Sequence, residues 1–504
     1  MRAKGNVIWP TVLAVALAGV YLAVAPTSQD LAAATFRADL FSEHGWLLWN
    51  NDWYSGHYLL SYSVIYPPLG ALLGPRLTAA LAVVVAAALF ALLARRRFGP
   101  AAIVPSLWFA AGAAAWLLTG RVPFLLAVPF GLAALLPRGG PALGWAAALA
   151  GVAALASPVA GLFAALAGAA LFLAGERARG ACLALGAAIP IALLNLAFPT
   201  GGFEPFVFSA FIAIPLLAAV VVWLVPAEYR ALRIGAVLYA VLALVLFIVD
   251  NPLGGNVTRL GALFAGPVLA LALWPRGRWL VLAISIPLLY WQLVAPVRDV
   301  RKGADDPSTE RAFYTPLLTE LDRLAPGDAP IRIEVPPTKN RWEATYVALE
   351  HPIARGWLRQ LESEDFDLFT DGRLGPAAYR DWLRGHQVDY VAVPNAPVDY
   401  LAEDEVALID SGLSYLKPVW SSSDWLLYRV VPGPRSRLSA IGVDWFELEA
   451  PRPGDYPTGL HYNRFWRVVG GDACVRDDAG ATIVEARPAG KIRVESGIPP
   501  RSCS

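Results

Sequence analysis

A polar and aromatic stretch interrupts the apolar start of this chain at residues 36–70, FRADLFSEHGWLLWNNDWYSGHYLLSYSVIYPPLG. It contains the ionisable residues Arg37, Asp39, Glu43, His44, Asp52 and His57 and the aromatic residues Trp46, Trp49, Trp53, Tyr54 and Tyr58. Carboxylates and histidines transfer protons in enzymes, and a carboxylate in a partly desolvated loop is a suitable general base because burial raises its pKa. Membrane insertion does not require such a loop, so its composition indicates a function.

The segments around this stretch are strongly apolar. Of the 504 residues, 57% are hydrophobic and only 16% are charged, whereas about a quarter of a typical soluble protein is charged. The deficit falls in residues 1–297, where apolar runs recur between short charged turns, as in a polytopic membrane protein. The net charge of +1 gives no indication of nucleic acid binding.

About eleven apolar segments are predicted to be transmembrane helices. The first runs from Val7 to about Pro26, and its length favours a retained helix over a cleaved signal peptide. The others lie at 77–94, 99–118, 122–136, 142–156, 159–174, 181–197, 206–225, 234–249, 260–274 and 279–296. Several are rich in Gly and Ala, which favours close helix packing.

Basic residues predict the orientation of these helices. They precede the first segment and follow the even-numbered ones: Arg95, Arg96, Arg97, Arg138, Arg177, Arg179, Arg230, Arg233, Arg276 and Arg278. The positive-inside rule then places the N-terminus in the cytoplasm and the C-terminal part outside. Residues 27–76 become a large first extracytoplasmic loop of the transmembrane part.

The C-terminal part has a soluble composition. Residues 298–433 alternate strand patterns such as IRIEV, VDYVAVP and LLYRVV with helical ones, which predicts a small α/β domain. Residues 434–504 show short strands between Gly, Pro and Asp turns, which predicts a small β-sandwich. Cys474 and Cys503 are a possible disulfide if this part is extracytoplasmic.

The sequence lacks the motifs of several common cofactor-binding and donor-binding sites. The chain has no GxGxxG and no Walker loop, so a soluble nucleotide-sugar donor is unsupported. No Cys/His cluster indicates zinc. A divalent metal stays possible, but no set of acidic ligands is evident.

The layout resembles the GT-C superfamily of membrane glycosyltransferases: a first span, an outer loop with an early acidic residue, many spans and an extracytoplasmic tail. The RGW of residues 355–357 and the stretch around Trp466 also resemble large bacterial membrane proteins of the GT-C and YfhO-like type. The family's catalytic acidic residue lies in the first outer loop, where the match is Asp39 in FRADLF. Glu43, four residues later, is the alternative, and the choice between them stays open.

The resemblance covers the whole chain in layout and implies a reaction. Such enzymes take a sugar from a polyprenyl-phosphate donor at the outer face of the bacterial plasma membrane. The acceptor would be a cell-envelope glycan or glycolipid, and the resemblance implies inversion of the anomeric centre. Asp39 would be the base that takes the proton of the acceptor hydroxyl.

Positive charge must stabilise the leaving phosphate in such a reaction. Arg259 and Arg121 are predicted to start outer helices and, with Asn256, are the predicted donor-phosphate ligands. Arg259 could instead pair with Asp250, and Arg121 could be a helix-end residue whose guanidinium reaches the interface.

The aromatic part of the loop offers surfaces for a sugar. Trp49, Trp53 and Tyr54 could stack on sugar faces, and His57 could orient the base or the acceptor. The alternatives are an aromatic belt at the membrane–water interface and a hydrogen-bonded structural histidine.

Two other functions compete with the enzyme. A transporter or flippase for lipid-linked sugars needs polar groups at mid-membrane, whereas these spans are nearly free of charge and the charges lie at the outer rim. A non-catalytic envelope scaffold would bind glycan through its tail and would tolerate Asp39→Asn.

Overall fold

The chain forms two compact units in a computed structural model. The first contains Met1–Ser42 and Ser61–Arg301, and the second contains Glu43–Leu60 and Lys302–Ser504. The structure describes residues 2–199, 201–274, 277–325, 331–358, 360–361, 368–369, 372–433 and 438–498.

The first unit is helical. Its helices are α1 Arg2–Val24, α2 Gln29–His44 (which ends in the second unit), α3 Tyr66–Leu73, α4 Pro75–Phe98, α5 Ile103–Ala115, α6 Val122–Ala134, α7 Ala142–Ala156, α8 Pro158–Leu173, α9 Arg177–Ala197, α10 Phe208–Phe211, α11 Ala213–Leu224, α12 Arg230–Ile248, α13 Thr258–Leu273 and α14 Arg278–Gly303. Short 3-10 helices lie at Gly99–Ala102, Trp116–Thr119 and Gly254–Val257. Each apolar segment predicted from the sequence overlaps a helix, although segment 99–118 covers α5 with both adjoining 3-10 helices and segment 206–225 covers α10 and α11.

Within the described residues, six helical segments are long and apolar enough to cross a membrane. They are Val7–Val24, Pro75–Thr119, Arg177–Ala197, Arg230–Ile248, Gly254–Leu273 and Arg278–Gly303. The segment Pro75–Thr119 has 45 residues, about 68 Å of helix, which exceeds twice the hydrocarbon thickness of a bilayer. Its chain turns at Gly99, where φ is 64°, and α4 packs against α5. The first unit is therefore compatible with a membrane protein.

Small residues bring the helices of this unit close together, as their composition predicts. A Cβ atom on Gly168 of α8 would lie 2.5 Å from the backbone nitrogen of Ala184 on α9. A Cβ atom on Gly180 would lie 2.3 Å from the nitrogen of Phe172. Such contacts leave no room for larger side chains, and van der Waals packing of backbones stabilises helix pairs in lipid.

The second unit combines helices with three sheets and a hairpin. Its helices are α15 Arg311–Leu324, α16 Glu343–Tyr346, α17 Pro376–Gly385 and α18 Glu403–Asp410, with a 3-10 helix at Pro307–Thr309. Its strands are β1 Trp49–Asn50, β2 His57–Tyr58, β3 Ile333–Glu334, β4 Tyr390–Pro394, β5 Leu416–Ser421, β6 Trp425–Val430, β7 Leu438–Ile441, β8 Trp445–Ala450, β9 Gly454–His461, β10 Trp466–Gly470, β11 Ala473–Asp478, β12 Ala481–Ala486 and β13 Gly490–Ser496.

The α/β part of this unit is built on one mixed sheet. The strand order is β3-β4-β6-β5, with β3 and β4 parallel and the other pairs antiparallel. In the first half of β6 the buried Trp425 and Leu427 alternate with the exposed Leu426, as in a sheet with one covered face. The core against this sheet includes Tyr379, Trp382, Val391, Leu416 and Val430. The predicted strands and helices of residues 298–433 coincide with these elements.

The C-terminal strands form two antiparallel sheets, ordered β10-β13-β8-β7 and β11-β12-β9. Trp466 connects them: its ring packs on Phe446 of the first sheet, and its Nε1 donates to Thr482 Oγ1 of the second at 3.2 Å. Cys474 is disulfide-bonded and Cys182 is free. Cys503, the predicted partner of Cys474, lies outside the described residues.

Residues 43–60 join the second unit although the sequence places them in a loop of the transmembrane part. They form the antiparallel hairpin β1–β2, in which Trp49 pairs with Tyr58. The hairpin packs against chain segments about 300 to 400 residues later, which the sequence pattern does not reveal. The chain therefore passes from one unit to the other between residues 42 and 43, between 60 and 61, and between 301 and 302.

Candidate functional site

Arg121 and Asp30 are the centre of a charged group in the first unit. Arg121 lies directly before α6, and its Nε donates to Asp30 Oδ2 at 2.8 Å. Asp30 occupies the first turn of α2, where the helix dipole favours a negative charge. The two segments meet because Gly120 has a φ of 69° and no side chain: a Cβ atom there would lie 2.3 Å from Ser28 Oγ.

Further charges surround this pair. Asp299 of α14 lies 4.0 Å from Arg121 Nη2 and accepts from Arg298 Nε at 2.9 Å. Glu204 also interacts electrostatically with Arg121. Arg121 is therefore held by ion pairs as well as lying at a helix end.

Arg259 joins the same group. It is the second residue of α13, and its Nη2 donates to Asn256 Oδ1. Its guanidinium lies 5.5 Å from the ring of Phe124, which is in the first turn of α6, three residues after Arg121. Arg259 interacts electrostatically with both Arg121 and Asp30. Arg121, which is far from Asn256 and Arg259 in the sequence, thus lies near both of them.

The alternative partner of Arg259 is placed differently. Asp250 is exposed after the end of α12. It forms no ion pair with Arg259 among the described residues, and the arginine bonds to Asn256 instead.

Asp39 lies elsewhere on α2. It is nine residues after Asp30, which is about two and a half turns of a helix with 3.6 residues per turn, so the two carboxylates are on opposite faces of α2. Asp39 is half-buried and lies within electrostatic range of Tyr66. Arg37 lies on the Asp30 face, is 3% exposed and places its guanidinium 4.1 Å from the ring of Tyr62.

Sequence reasoning missed Asp30. Its signal was available, because Asp30 is the first acidic residue after α1 and stands at the start of a helix. Glu43 lies one turn after Asp39 on the same face of α2, where its side chain is 61% exposed and lies 3.8 Å from His44.

The four predicted sugar-binding residues lie inside the second unit. Trp49, Trp53, Tyr54 and His57 are each at most 3% exposed. A sugar stacks on an accessible ring face, whereas these rings are covered by protein. Their contacts explain why the loop is aromatic.

Trp53 is the anchor on the α/β side. Its Nε1 donates to the carbonyl oxygen of Ala344 at 2.8 Å, and His57 stacks on its ring at 5.6 Å. A Cβ atom on Gly356 would lie 2.4 Å from Trp53 Cγ, so the glycine of the RGW motif makes room for the ring. Tyr54 Oη accepts from the backbone nitrogen of Leu358 at 3.0 Å.

Trp49 and its neighbour Asn51 anchor the hairpin on the sandwich side. Trp49 Nε1 donates to Asn51 Oδ1 at 2.9 Å, and Asn51 Nδ2 donates to the carbonyl oxygen of Gly442 at 2.8 Å. The ring of Trp49 also meets Trp466 edge-on at 5.8 Å. The hairpin therefore stabilises both parts of the second unit.

Buried carboxyl groups of this unit hold protons near neutral pH. Burial raises the pKa of Asp52 to about 7, although Asn50 Nδ2 donates to its Oδ2 at 2.8 Å. Burial raises the pKa of Glu343 to about 7, against the opposing effects of Arg341 and a hydrogen bond from Thr338 Oγ1 at 2.6 Å.

The arginine of the RGW motif is the centre of a buried network. Arg355 donates to both Glu334 and Glu405, and all three side chains are at most 4% exposed. Tyr379 Oη donates to Glu405 Oε1 at 2.7 Å. One guanidinium cannot neutralise two carboxylates, and burial raises the pKa of Glu334 well above its usual value. The network is enclosed by protein, so removal of Arg355 would leave two buried carboxyl groups without a partner charge.

The described residues contain no group of three or more His, Cys, Asp or Glu side chains placed to hold a metal ion. No protein-family model matches the chain, and no curated protein matches it.

Proposed function

We propose that the protein is a membrane glycosyltransferase that transfers a sugar from a polyprenyl-phosphate donor to a cell-envelope glycan or glycolipid. The observation that supports this proposal is the convergence of Arg121, Arg259 and Asn256 in the helical unit. Arg121 is already paired with Asp30, whereas the buried Nε of Arg259 has no hydrogen-bond partner among the described residues, so Arg259 can donate to a bound anion. Phosphate suits this role, since arginine donates to it in a bidentate manner.

The proposed chemistry is a single displacement with inversion. The acceptor oxygen bonds to the anomeric carbon as the bond from that carbon to the donor phosphate breaks. The phosphate leaves with the bonding electrons, and Arg121 and Arg259 stabilise its charge. Asp39 takes the proton of the acceptor hydroxyl. Asp30 is a positioning residue, because it fixes the guanidinium of Arg121.

The proposal includes an arrangement in the bacterial plasma membrane. About eleven crossings are formed by α1, α4–α9, α11, α12, α13 and α14, with the N-terminus in the cytoplasm and the second unit outside. The shorter helices have 12 to 16 residues, about 18 to 24 Å. They span only where the bilayer thins or neighbouring segments extend them.

A flippase for lipid-linked sugars is the second candidate. The ion pairs between Arg121, Asp30 and Asp299 lie in the helical unit, and transporters also use paired charges among helices. A flippase moves its lipid without forming a glycosidic bond, so a transfer assay separates the two functions.

The test uses the full-length protein in lipid nanodiscs with a panel of polyprenyl-phosphate sugars and an envelope glycan extract. Wild type should transfer sugar. Arg259→Gln should raise the KM for the donor about 10- to 100-fold, because a charge-assisted contact contributes about 1.5–3 kcal/mol. Asp39→Asn should lower kcat at least about 100-fold with little change in donor KM.

Arg179→Gln is the matched control. Arg179 is also a mostly buried arginine of the helical unit and pairs with Glu176 at 2.7 Å, outside the Arg121 group. It should lose stability without a specific change in donor KM. If Arg259→Gln and Arg179→Gln had equal donor KM values, the phosphate role would be wrong.

The other carboxylates give separate outcomes. If Asp39→Asn kept full activity while Asp30→Asn or Glu43→Gln lost kcat, the base would move to that residue. Donor binding and lipid movement without transfer would favour the flippase. The scaffold would be favoured if the second unit bound glycan, no sugar was transferred, and Asp39→Asn had no effect.

A further inference from the structure

Four phenylalanine rings form one cluster on the helical unit. They are Phe206, Phe208, Phe211 and Phe247, and we name them the phenylalanine cluster. Phe211 and Phe247 stack with their centroids 4.5 Å apart, and Phe206 and Phe208 each contact both of these rings at 5.9 to 6.2 Å. Phe208 is nonetheless 62% exposed and Phe247 is 36% exposed. The rings are ordered by one another and still present an apolar surface.

The position of the cluster does not fit an ordinary interface belt. Residues 201–207 have no regular secondary structure, so their backbone groups need partners that the hydrocarbon core does not supply. The segment is therefore expected near the membrane–water interface, where Trp and Tyr are the favoured aromatic residues. Phenylalanine has no polar group for water, so a cluster of four rings at this depth suits an apolar ligand.

The cluster is directly connected to the arginine group. Glu204 donates its backbone N–H to the carbonyl oxygen of Asn251 at 2.9 Å, and Gly255 donates to that of Pro205 at 3.3 Å. A Cβ atom on Gly254 would lie 1.9 Å from the carbonyl oxygen of Glu204, so the two turns are in direct backbone contact. Asn256, next along this turn, accepts from Arg259.

We propose that the phenylalanine cluster binds the isoprenoid chain of a polyprenyl phosphate whose phosphate is held at Arg259 and Asn256. The inference rests on the proposed function for its ligand class. A lipid with an anionic head and a branched apolar chain matches an arginine, Arg259, whose turn is in backbone contact with a fixed aromatic surface. The rings do not need to rearrange on binding, which limits the entropy cost.

The test separates the chain from the head group. Nanodiscs of the full-length protein are titrated with a long-chain polyprenyl-phosphate sugar and with a short-chain, water-soluble phosphate analogue carrying the same sugar. Phe208→Ala and Phe247→Ala should weaken binding of the long-chain donor about tenfold each, since each removes part of a ring's apolar contact. Binding of the short-chain analogue should not change.

Phe172→Ala is the control, because Phe172 is a similarly exposed phenylalanine, 44% exposed, near the end of α8. It should leave the binding of both donors unchanged. Thermal unfolding of each variant checks its folding, which matters most for Phe247→Ala because that ring also stacks on Phe211. Unchanged long-chain binding in both cluster variants, or equal weakening of both donors, would overturn the proposal.

A second measurement keeps this inference distinct from the proposed function. A photoactivatable polyprenyl phosphate without sugar is crosslinked to the wild type, and the labelled peptides are identified by mass spectrometry. Labels at residues 206–211 and 247, with no sugar transfer in any assay, would keep the lipid site and reject the transferase. Sugar transfer with labels spread evenly over the exposed helices would keep the transferase and reject the lipid site.

Discussion

Removing the ring of Trp53 should unfold the second unit without a direct effect on the first. Trp53 is fully buried in segment 43–60, far along the chain from the residues it contacts. Its Nε1 donates to the carbonyl oxygen of Ala344, 291 residues later, and its ring fills the space beside Gly356. Trp53→Ala therefore tests whether the first-loop hairpin is part of the core of the C-terminal fold.

The expected cost is large. A buried Trp→Ala substitution costs about 3–5 kcal/mol in transfer and cavity free energy. Loss of the hydrogen bond to Ala344 adds about 1 kcal/mol. A domain typically has about 5–15 kcal/mol of stability, so the variant loses a large share of it. A change of about 4 kcal/mol raises the open population about 1,000-fold.

Limited proteolysis of the full-length protein in detergent measures this change. When opening is fast relative to cleavage, the cleavage rate follows the open population. Cleavage within residues 302–504 should therefore rise about 1,000-fold in Trp53→Ala. Trp46→Ala is the matched control, since Trp46 lies in the same segment and is 56% exposed, and its rate should change less than about threefold.

Equal cleavage rates in Trp53→Ala and Trp46→Ala would refute this reasoning. A role of Trp53 in sugar stacking predicts a different result: weaker acceptor binding at unchanged protease resistance. The two measurements together decide between a structural and a ligand-binding ring.

Two further predictions concern the same unit. Because burial raises the pKa of Asp52 and of Glu343 to about 7, the folded unit holds protons that the unfolded chain releases near pH 4, so the stability that these two groups contribute should fall as the pH rises from about 4 to 7. In that window each group lowers the free energy of unfolding by about 1.4 kcal/mol per pH unit. Denaturant unfolding between about pH 5 and 8 should show this slope, and Asp52→Asn should remove the contribution of one group. Stability that rises with pH would contradict the assignment. Gly356→Ala should destabilise the unit by about 1–3 kcal/mol, because its Cβ would overlap the ring of Trp53. Gly385→Ala, whose Cβ meets nothing within 4 Å, should keep the wild-type midpoint, and a shared midpoint of both glycine variants would show that the Trp53 contact is not tight.

The sequence alone located most of the secondary structure, but the predicted loop of residues 27–76 contains the helices α2 and α3, so Asp39 lies on a helix and not in a loop. The apolar runs of residues 1–297 coincide with helices, because a segment in lipid must satisfy its backbone hydrogen bonds within itself. The strand patterns of VDYVAVP and LLYRVV coincide with β4 and β6. These signals are local, since each depends on residues a few positions apart.

The sequence also led to the prediction that Arg121, Arg259 and Asn256 bind a phosphate, but it could not show that they lie close together. Their convergence depends on the packing of α2, α6 and α13, and on the absence of a side chain at Gly120. The same packing places Asp30 beside the two arginines and Asp39 on the opposite face of α2. The sequence shows where a residue lies along a helix, but it does not show which face of that helix packs against a neighbouring helix.

The tertiary structure alone decided the role of the aromatic loop. From composition, Trp49, Trp53 and Tyr54 could have been a membrane belt or a surface for sugars. Their partners lie hundreds of residues away, at Ala344, Leu358 and Trp466. Burial of a ring depends on the shape of the surface that receives it, and in this chain that surface exists only after residues 302–504 have folded around the hairpin.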